Sequence, residues 1–514
     1  MSTDPTPKIP KGRIKAGLAS GKVAIRKLKT GVSGLDEILG GGIPEYSFNI
    51  LAGCPGSGKT TLAHQILFAN ATVEHPALYF TVLGEPAIKM LRYQQQYSFF
   101  DMAKVNKSIR FINLSESVLN NPLEMLLAEI TQEVEARNPA FVVIDSFRSV
   151  VRKMNERNLH EIDIQSFIQR LSLLLTSWQA TTFLVGEYGE EEIQGNPVFT
   201  VCDGLFWLTQ NVERNSVVRK LQVMKLRGHG SVPGLHTIRI GNFGLQAFSR
   251  TLGLTSKITP HGRRHRLSVG VPELDKMMGG GIPEGDSVLL AGPSGAGKSV
   301  LATHFVAEGL RVGESAIIAI FEERPEGYAS RAKSLGMDFK RAQERGKLEI
   351  LYLRPLDLSV DEAMQEILDA IERTGAKRLV IDSLTGFEMA LAPGFRTDFR
   401  ESLYRMIAGL TGVGVTIVST VEIEDSFTSF AFSQYAISFL TDDIVRMRYV
   451  EVEGRIRRVL VVVKTRASDH NKEIREFAIT DAGLTVTASK FIGYDALTSG
   501  LPERGDMPAD ENII

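Results

Sequence analysis

The sequence predicts an α/β protein built from two copies of one unit, each a mostly parallel sheet flanked by helices. Three observations lead there. The chain repeats itself at a fixed offset. Each repeat alternates short apolar runs with amphipathic stretches, and each carries one glycine-rich loop between an expected strand and an expected helix.

The repeat is plain in TGVSGLDEILGGGIPEYSFNILAGCPGSGKT (30–60), which returns as VGVPELDKMMGGGIPEGDSVLLAGPSGAGKS (269–299). Of the 30 positions from Gly31 to Thr60, 16 are identical to their counterparts between Gly270 and Ser299. Average composition gives roughly two by chance, so the chain is a tandem duplication. Lys59 and Lys298 are 239 residues apart, as are Lys225-Leu226-Arg227 and Lys464-Thr465-Arg466, while Asp145 and Asp382 are 237 apart. The expected organisation is a basic tail (1–22), a first domain (23–250), a linker (251–266), a second domain (267–490) and a polar tail (491–514). Each domain, at roughly 225 residues, is large enough to bury its own core.

Phe48–Ala52 and Ser287–Ala291 are the strands expected to feed the glycine loops. After them Leu62, Ala63, Ile66 and Leu67 recur at helical spacing, as do Leu301, His304, Phe305 and Leu310. Residues 77–82 and 316–321 form second strands, 141–145 and 378–382 third strands ending on a carboxylate, and 181–187 and 415–422 follow. Such runs, apolar without alternation, suit strands buried on both faces.

Composition narrows the class. With 59 Lys+Arg against 60 Asp+Glu, 43% hydrophobic and 23% charged residues, the chain is neither disordered nor fibrous. No run approaches the roughly 18 to 20 apolar residues of a membrane span. The start, MSTDPTPKIPKGRIK, lacks an apolar signal core, so a cytoplasmic protein is expected. Cys54 and Cys202 are too few for a disulfide framework or a four-ligand zinc site.

Gly53-Cys-Pro-Gly-Ser-Gly58-Lys59-Thr60 and Gly292-Pro-Ser-Gly-Ala-Gly297-Lys298-Ser299 both satisfy G-x-x-x-x-G-K-[ST]. Glycines let backbone N–H groups turn inward around a phosphate, and the following helix adds its positive end. The expected nucleotide-binding residues are Gly53, Gly56, Ser57, Gly58, Lys59, Thr60 and Thr61 in the first loop. In the second they are Ser294, Gly295, Ala296, Gly297, Lys298, Ser299 and Val300. The lysines reach the β- and γ-phosphates, and the hydroxyls of Thr60 and Ser299 ligate Mg²⁺. Asp145 and Asp382 end strands downstream of the loops, where a carboxylate steers the metal through its water shell. A nucleotide and Mg²⁺ are therefore expected at two P-loop domains.

These elements together resemble the KaiC family, duplicated RecA/DnaB-like ATPases that include the cyanobacterial clock protein. The resemblance covers about residues 24–500 and rests on the GGGIP turn before each loop, Phe321-Glu322-Glu323, IDS in both repeats, KLRGH (225–229) and KTRASDH (464–470). It implies a homo-hexamer with ATP between subunits. Lys225 and Arg227 in one ring, and Lys464 and Arg466 in the other, would reach a neighbour's γ-phosphate, with His229 and His470 nearby. It makes Glu322 and Glu323 the catalytic pair, acting with Lys298, Lys464 and Arg466. At the matching positions the first repeat has Leu83 and Gly84, with Glu85 one residue out of step. The first site is therefore expected to bind ATP and hydrolyse it poorly. The resemblance also makes Ser438 a candidate for autophosphorylation, although Phe439 replaces the family's threonine; Ser433 and Thr441 are lesser candidates. A KaiB-like or other signalling protein is an expected partner.

Two other functions use the same core. A DNA motor is disfavoured by the neutral charge and by the lack of a basic stripe with interleaved aromatics. A nucleotide-gated scaffold suits the repeat that lacks the glutamates.

Overall fold

The computed structural model describes residues 25–491 apart from 83–86, 121–122, 157–160, 194–195, 214–215, 251–264, 354–358, 392–398, 424–440, 453 and 467–468. The chain divides after Arg250 into two compact units. The duplication carries through to topology.

In the first unit β1 (Lys27–Leu28) and β2 (Ile43–Pro44) pair as a small ribbon. The main strands are β3 (Phe48–Gly53), β4 (Ala77–Thr81), β5 (Ile109–Asn113), β6 (Phe141–Asp145), β7 (Thr181–Glu187), β8 (Gly204–Glu213), β9 (Ser216–Leu226), β10 (Leu235–Gly241) and β11 (Gly244–Phe248). In the second unit the ribbon is β12 (Arg266–Leu267) with β13 (Ile282–Pro283). Its main strands are β14 (Ser287–Gly292), β15 (Ala316–Ile320), β16 (Leu348–Tyr352), β17 (Arg378–Asp382), β18 (Thr416–Glu422), β19 (Asp443–Val452), β20 (Arg455–Lys464), β21 (Arg475–Thr480) and β22 (Gly483–Val486). The two nine-stranded orders, β5-β4-β6-β7-β3-β8-β9-β10-β11 and β16-β15-β17-β18-β14-β19-β20-β21-β22, are the same order written twice. The strand ends expected from sequence hold to within one residue.

Six strands of each sheet, from β5 to β8 and from β16 to β19, run parallel. Every residue of β3 and β14 is buried, as a strand covered on both faces requires. The helix Lys59–Asn70 covers one face of the first sheet through Leu62, Ala63, Ile66 and Leu67, while Ile130 and Leu171, from two other helices, cover the opposite face. The second unit repeats this with the helix Lys298–Arg311 on one face and Val360–Thr374 on the other. Phe305, completely buried there, contributes about 1.5–3 kcal/mol by leaving water. The expected helical periodicity includes His304, which is half-buried and accepts a hydrogen bond from Leu484 N at 2.8 Å.

The glycines of the GGGIP turns have a steric reason. A Cβ on Gly42, at φ +130°, would lie 2.2 Å from the carbonyl oxygen of Leu28, and one on Gly281, at φ +110°, 2.4 Å from that of Leu267. Only glycine lets the turn fold back on its ribbon, which then hands the chain to β3 or β14.

Candidate functional site

Both glycine loops sit at the carboxyl edge of a parallel sheet, where the chain crosses from the central strand to the far side and open α/β sheets bind ligands. Gly53, at φ +138°, admits no side chain, since a Cβ would lie 1.8 Å from the Leu208 oxygen. Gly58 and Gly297, both left-handed, start the helices that follow. Lys59 Nζ folds back to donate to the Cys54 oxygen at 2.7 Å, and Lys298 Nζ donates to the Gly292 and Pro293 oxygens at 2.9 and 2.8 Å. Burial pulls both lysines below the ordinary lysine range. Nearby carboxylates oppose this: Glu187 and Asp145 for Lys59, and Glu422, Asp382 and Glu322 for Lys298. The donor set suits a polyphosphate: a glycine-rich loop, a lysine ammonium folded onto it, and the start of a helix.

Ser57 Oγ donates to the Cys54 oxygen, and Thr61 is buried beneath the loop. Ala296 is buried and Val300 half-buried, whereas Gly56, Ser294 and Gly295 lie on the open side.

The register sets the acids around each loop. Gly53 is level with Glu187 and Gly292 with Glu422, on the adjacent strands. Thr81 is level with Asp145 and Ile320 with Asp382. Thr60 Oγ1 donates to Asp145 Oδ2 at 2.8 Å, and the Tyr79 hydroxyl donates to the same oxygen at 2.7 Å. Burial pushes the Asp145 carboxyl up, and the two hydroxyl donors work against that. Asp382 is held from the other side, by Thr420 Oγ1 at 2.6 Å. Thr60 with Asp145, and Ser299 with Asp382, offer the hydroxyl and carboxylate that hold a hydrated Mg²⁺ in such sites.

Glu322 and Glu323 follow β15 at the same edge. Glu322 accepts from Ser383 Oγ at 2.9 Å, next to Asp382. Glu323 pairs with Arg331 at 2.6 Å, and burial raises its carboxyl. Leu83, Gly84 and Glu85 lie outside the described residues.

The basic residues lie at the opposite end of the sheets. Arg227 N donates to the Asp203 oxygen at 2.9 Å and its Nη1 to Asp203 Oδ1 at 3.2 Å, while Asp203 Oδ2 accepts from Phe48 N, the first residue of β3. Arg466 Nη1 contacts Asp442 Oδ1 at 3.3 Å, and Asp442 Oδ2 accepts from Ser287 N, the first residue of β14. The loops begin five residues up those strands, roughly 17 Å away at about 3.3 Å per residue. Lys225 and Lys464 donate to the carbonyls of Thr200 and Thr441. His229 meets the Leu39 oxygen at 2.7 Å and His470 the Thr465 hydroxyl at 2.8 Å. The contacts described for these six residues all lie outside the phosphate loop of their own unit. Ser438 and Ser433 lie outside the described residues, and Thr441 is buried.

Sequence reasoning missed Glu187, Glu422, Tyr79, Thr420 and Ser383. The two glutamates had a signal, since each ends an expected strand in corresponding positions of the two repeats.

Two mostly parallel sheets, each with a glycine cradle, a lysine folded back onto it and a strand-end carboxylate, define a tandem P-loop nucleoside triphosphatase fold. The family model for the ATPase KaiC matches residues 28–251 and again 267–490. The circadian clock oscillator protein KaiC of Picosynechococcus sp. is 30% identical over 493 residues, covering 93% of each chain. KaiC of Rippkaea orientalis and KaiC 1 of Synechocystis sp. are each 30% identical over 495 residues, covering 93% of this chain and 92% of theirs. The chain belongs to the KaiC family of ATPases. Among the described residues no helix is long and apolar enough to cross a membrane.

Proposed function

We propose that the chain is a homo-hexameric ATPase with a regulatory or signalling output, its domains spanning 23–250 and 267–490. The carboxy-terminal site hydrolyses ATP, and the amino-terminal site mainly holds ATP for ring assembly. One difference carries this reading. Both sites have the cradle, the lysine and the aspartate, but the glutamate pair follows β15 alone, next to Asp382 and within electrostatic reach of Lys298.

Residues Gly53–Thr61 and Ser294–Val300 would wrap the polyphosphate, with Thr60/Asp145 and Ser299/Asp382 holding Mg²⁺. The metal, when bound, neutralises charge on the β- and γ-phosphates. Glu322, oriented by Ser383, aligns the attacking water and takes its proton. Lys298 steadies the γ-phosphate. Arg466 and Lys464 of an adjacent protomer supply charge to the transition state, with His470 beside them; Arg227, Lys225 and His229 play the corresponding part at the amino-terminal ring. Lys59→Ala is expected to weaken hexamer assembly in ATP, measured by light scattering, while leaving most ATP turnover intact. Loss of most turnover in this variant would assign catalysis to the first site.

The named relatives are clock proteins, and fold alone does not transfer that role. A KaiB-like protein is the partner class the family suggests. Ser438 is proposed as an autophosphorylation acceptor, ahead of Ser433 and of the buried Thr441. After incubation with Mg·ATP, mass spectrometry of the 433–441 peptide is expected to place phosphate on Ser438; an unmodified peptide removes the autokinase. A DNA motor would instead show turnover stimulated by single strands and salt-sensitive binding.

A further inference from the structure

Tyr79 lies in the middle of the amino-terminal site without appearing in any motif. It is on β4, completely buried, and its hydroxyl donates to Asp145 Oδ2, the oxygen that also accepts from Thr60. Its ring is clamped. The imidazole of His64 stacks on it at 4.5 Å and 6°, and Phe111 leans in at 5.2 Å. His64 is one helical turn beyond Thr60 on the same helix, so one element positions both the hydroxyl partner of Asp145 and the clamp on the tyrosine. Burial pushes the His64 imidazole down to about 3, which keeps the stack neutral.

The second unit is built differently at these points. At the offset of 239, His64 corresponds to Thr303 and Tyr79 to Ile318. Thr303 Oγ1 bonds to the Ser299 oxygen and the Tyr328 hydroxyl, and Asp382 takes its hydrogen bond from Thr420 on β18. Ser299 donates nothing to Asp382 among the described residues, whereas Thr60 and Asp145 are already joined.

We propose that Tyr79 is a positioning residue of the amino-terminal site, holding the Asp145 carboxylate on Thr60 so that the pair is preset for the magnesium of a bound nucleotide. This deepens, and rests on, the reading of Thr60 and Asp145 as the metal-holding pair. The physical basis is that a charge-assisted O–H···O bond in a buried setting is directional and strong. Both hydroxyls donate to Oδ2, so the Asp145 carboxylate would be fixed in orientation before a magnesium ion is held by the pair. The preset pair suits a site whose task is retention rather than turnover, and it occurs in the repeat that lacks the glutamates.

The test uses the full chain carrying Lys298→Ala, so that retention of labelled ATP reports the first loop. Retained ATP is measured across a magnesium titration, with the melting temperature of nucleotide-free protein as the check on folding. Tyr79→Phe is expected to raise the magnesium concentration for half retention about tenfold, as the loss of one hydrogen bond to a charged group would. Magnesium-free binding should change less than twofold. A tyrosine that merely satisfied its own burial would lower the melting temperature and leave the magnesium midpoint unmoved, and that result overturns the proposal. His64→Phe keeps both the hydroxyl and a stacked ring, so its midpoint is expected to stay within twofold; a tenfold shift there would make packing the cause and also overturn it. Asp145→Asn separates the two levels. If it shifts the midpoint and Tyr79→Phe does not, Tyr79 alone is misassigned; if neither shifts it, the metal reading of Asp145 falls.

Discussion

Glu322→Gln combined with Glu323→Gln is expected to lower ATP turnover of the whole chain by about 10²- to 10⁴-fold, the usual contribution of a positioned general base. The two carboxylates differ in what holds them. Glu322 is exposed on the single protomer, accepts from Ser383 Oγ, and adds to the field at Lys298, so it faces the phosphate side. Glu323 turns to Arg331 at 2.6 Å, and Arg331 also lies 4.8 Å over the ring of Tyr328. Glu322→Gln alone should therefore account for most of the loss, with Glu323→Gln acting through the placement of its neighbour. Glutamine keeps the size and the hydrogen bond from Ser383, so nucleotide binding is expected to survive. That outcome separates lost chemistry from a lost site. If turnover persists in the double variant, hydrolysis belongs to the amino-terminal site, and Glu85 becomes the residue to substitute.

What the sequence made legible is what repeats. The offset of 239 predicted one architecture twice, and the strand order is the same in both sheets. Asp145 and Asp382 were readable because each closes an apolar run, and a strand end in a parallel sheet has a known direction. Tyr79 was not readable. In sequence it is one aromatic residue of a buried strand; only the pairing of β4 with β6 brings its hydroxyl to Asp145, 66 residues away. Thr420 and Asp382 meet across β17 and β18 in the same manner. Motifs record residues that are close along the chain, and these contacts are set by which strands become neighbours. Asp203 and Asp442 show the same limit. They tie Arg227 and Arg466 to the start of β3 and β14, which bears directly on how those arginines can act.

Arg466→Ala is expected to reduce turnover by about 10³-fold or more, the scale of an arginine that neutralises a phosphoryl transition state. Its position makes the stronger demand. Arg466 is tied through Asp442 to the first residue of β14, and the phosphate loop starts at the last one, so the arginine cannot serve the loop of its own unit. An exposed Arg466–Asp442 pair is worth at most about 1 kcal/mol, so it yields readily to a phosphate brought by another protomer. The consequence is complementation. A chain with Arg466→Ala keeps a sound cleft and lacks the arginine; a chain with Glu322→Gln/Glu323→Gln keeps the arginine and lacks the base. Each alone is inactive. In rings assembled from equal amounts of both, about a quarter of the head-to-tail interfaces join a sound cleft to a sound arginine, so about a quarter of wild-type turnover should return. Arginine and glutamates acting within one protomer would give no recovery at any ratio, because no chain in the mixture carries both. Hydrolysis measured against mixing ratio, with ring assembly verified by light scattering, decides between them, and a maximum near equal proportions is the signature of a site shared between neighbours.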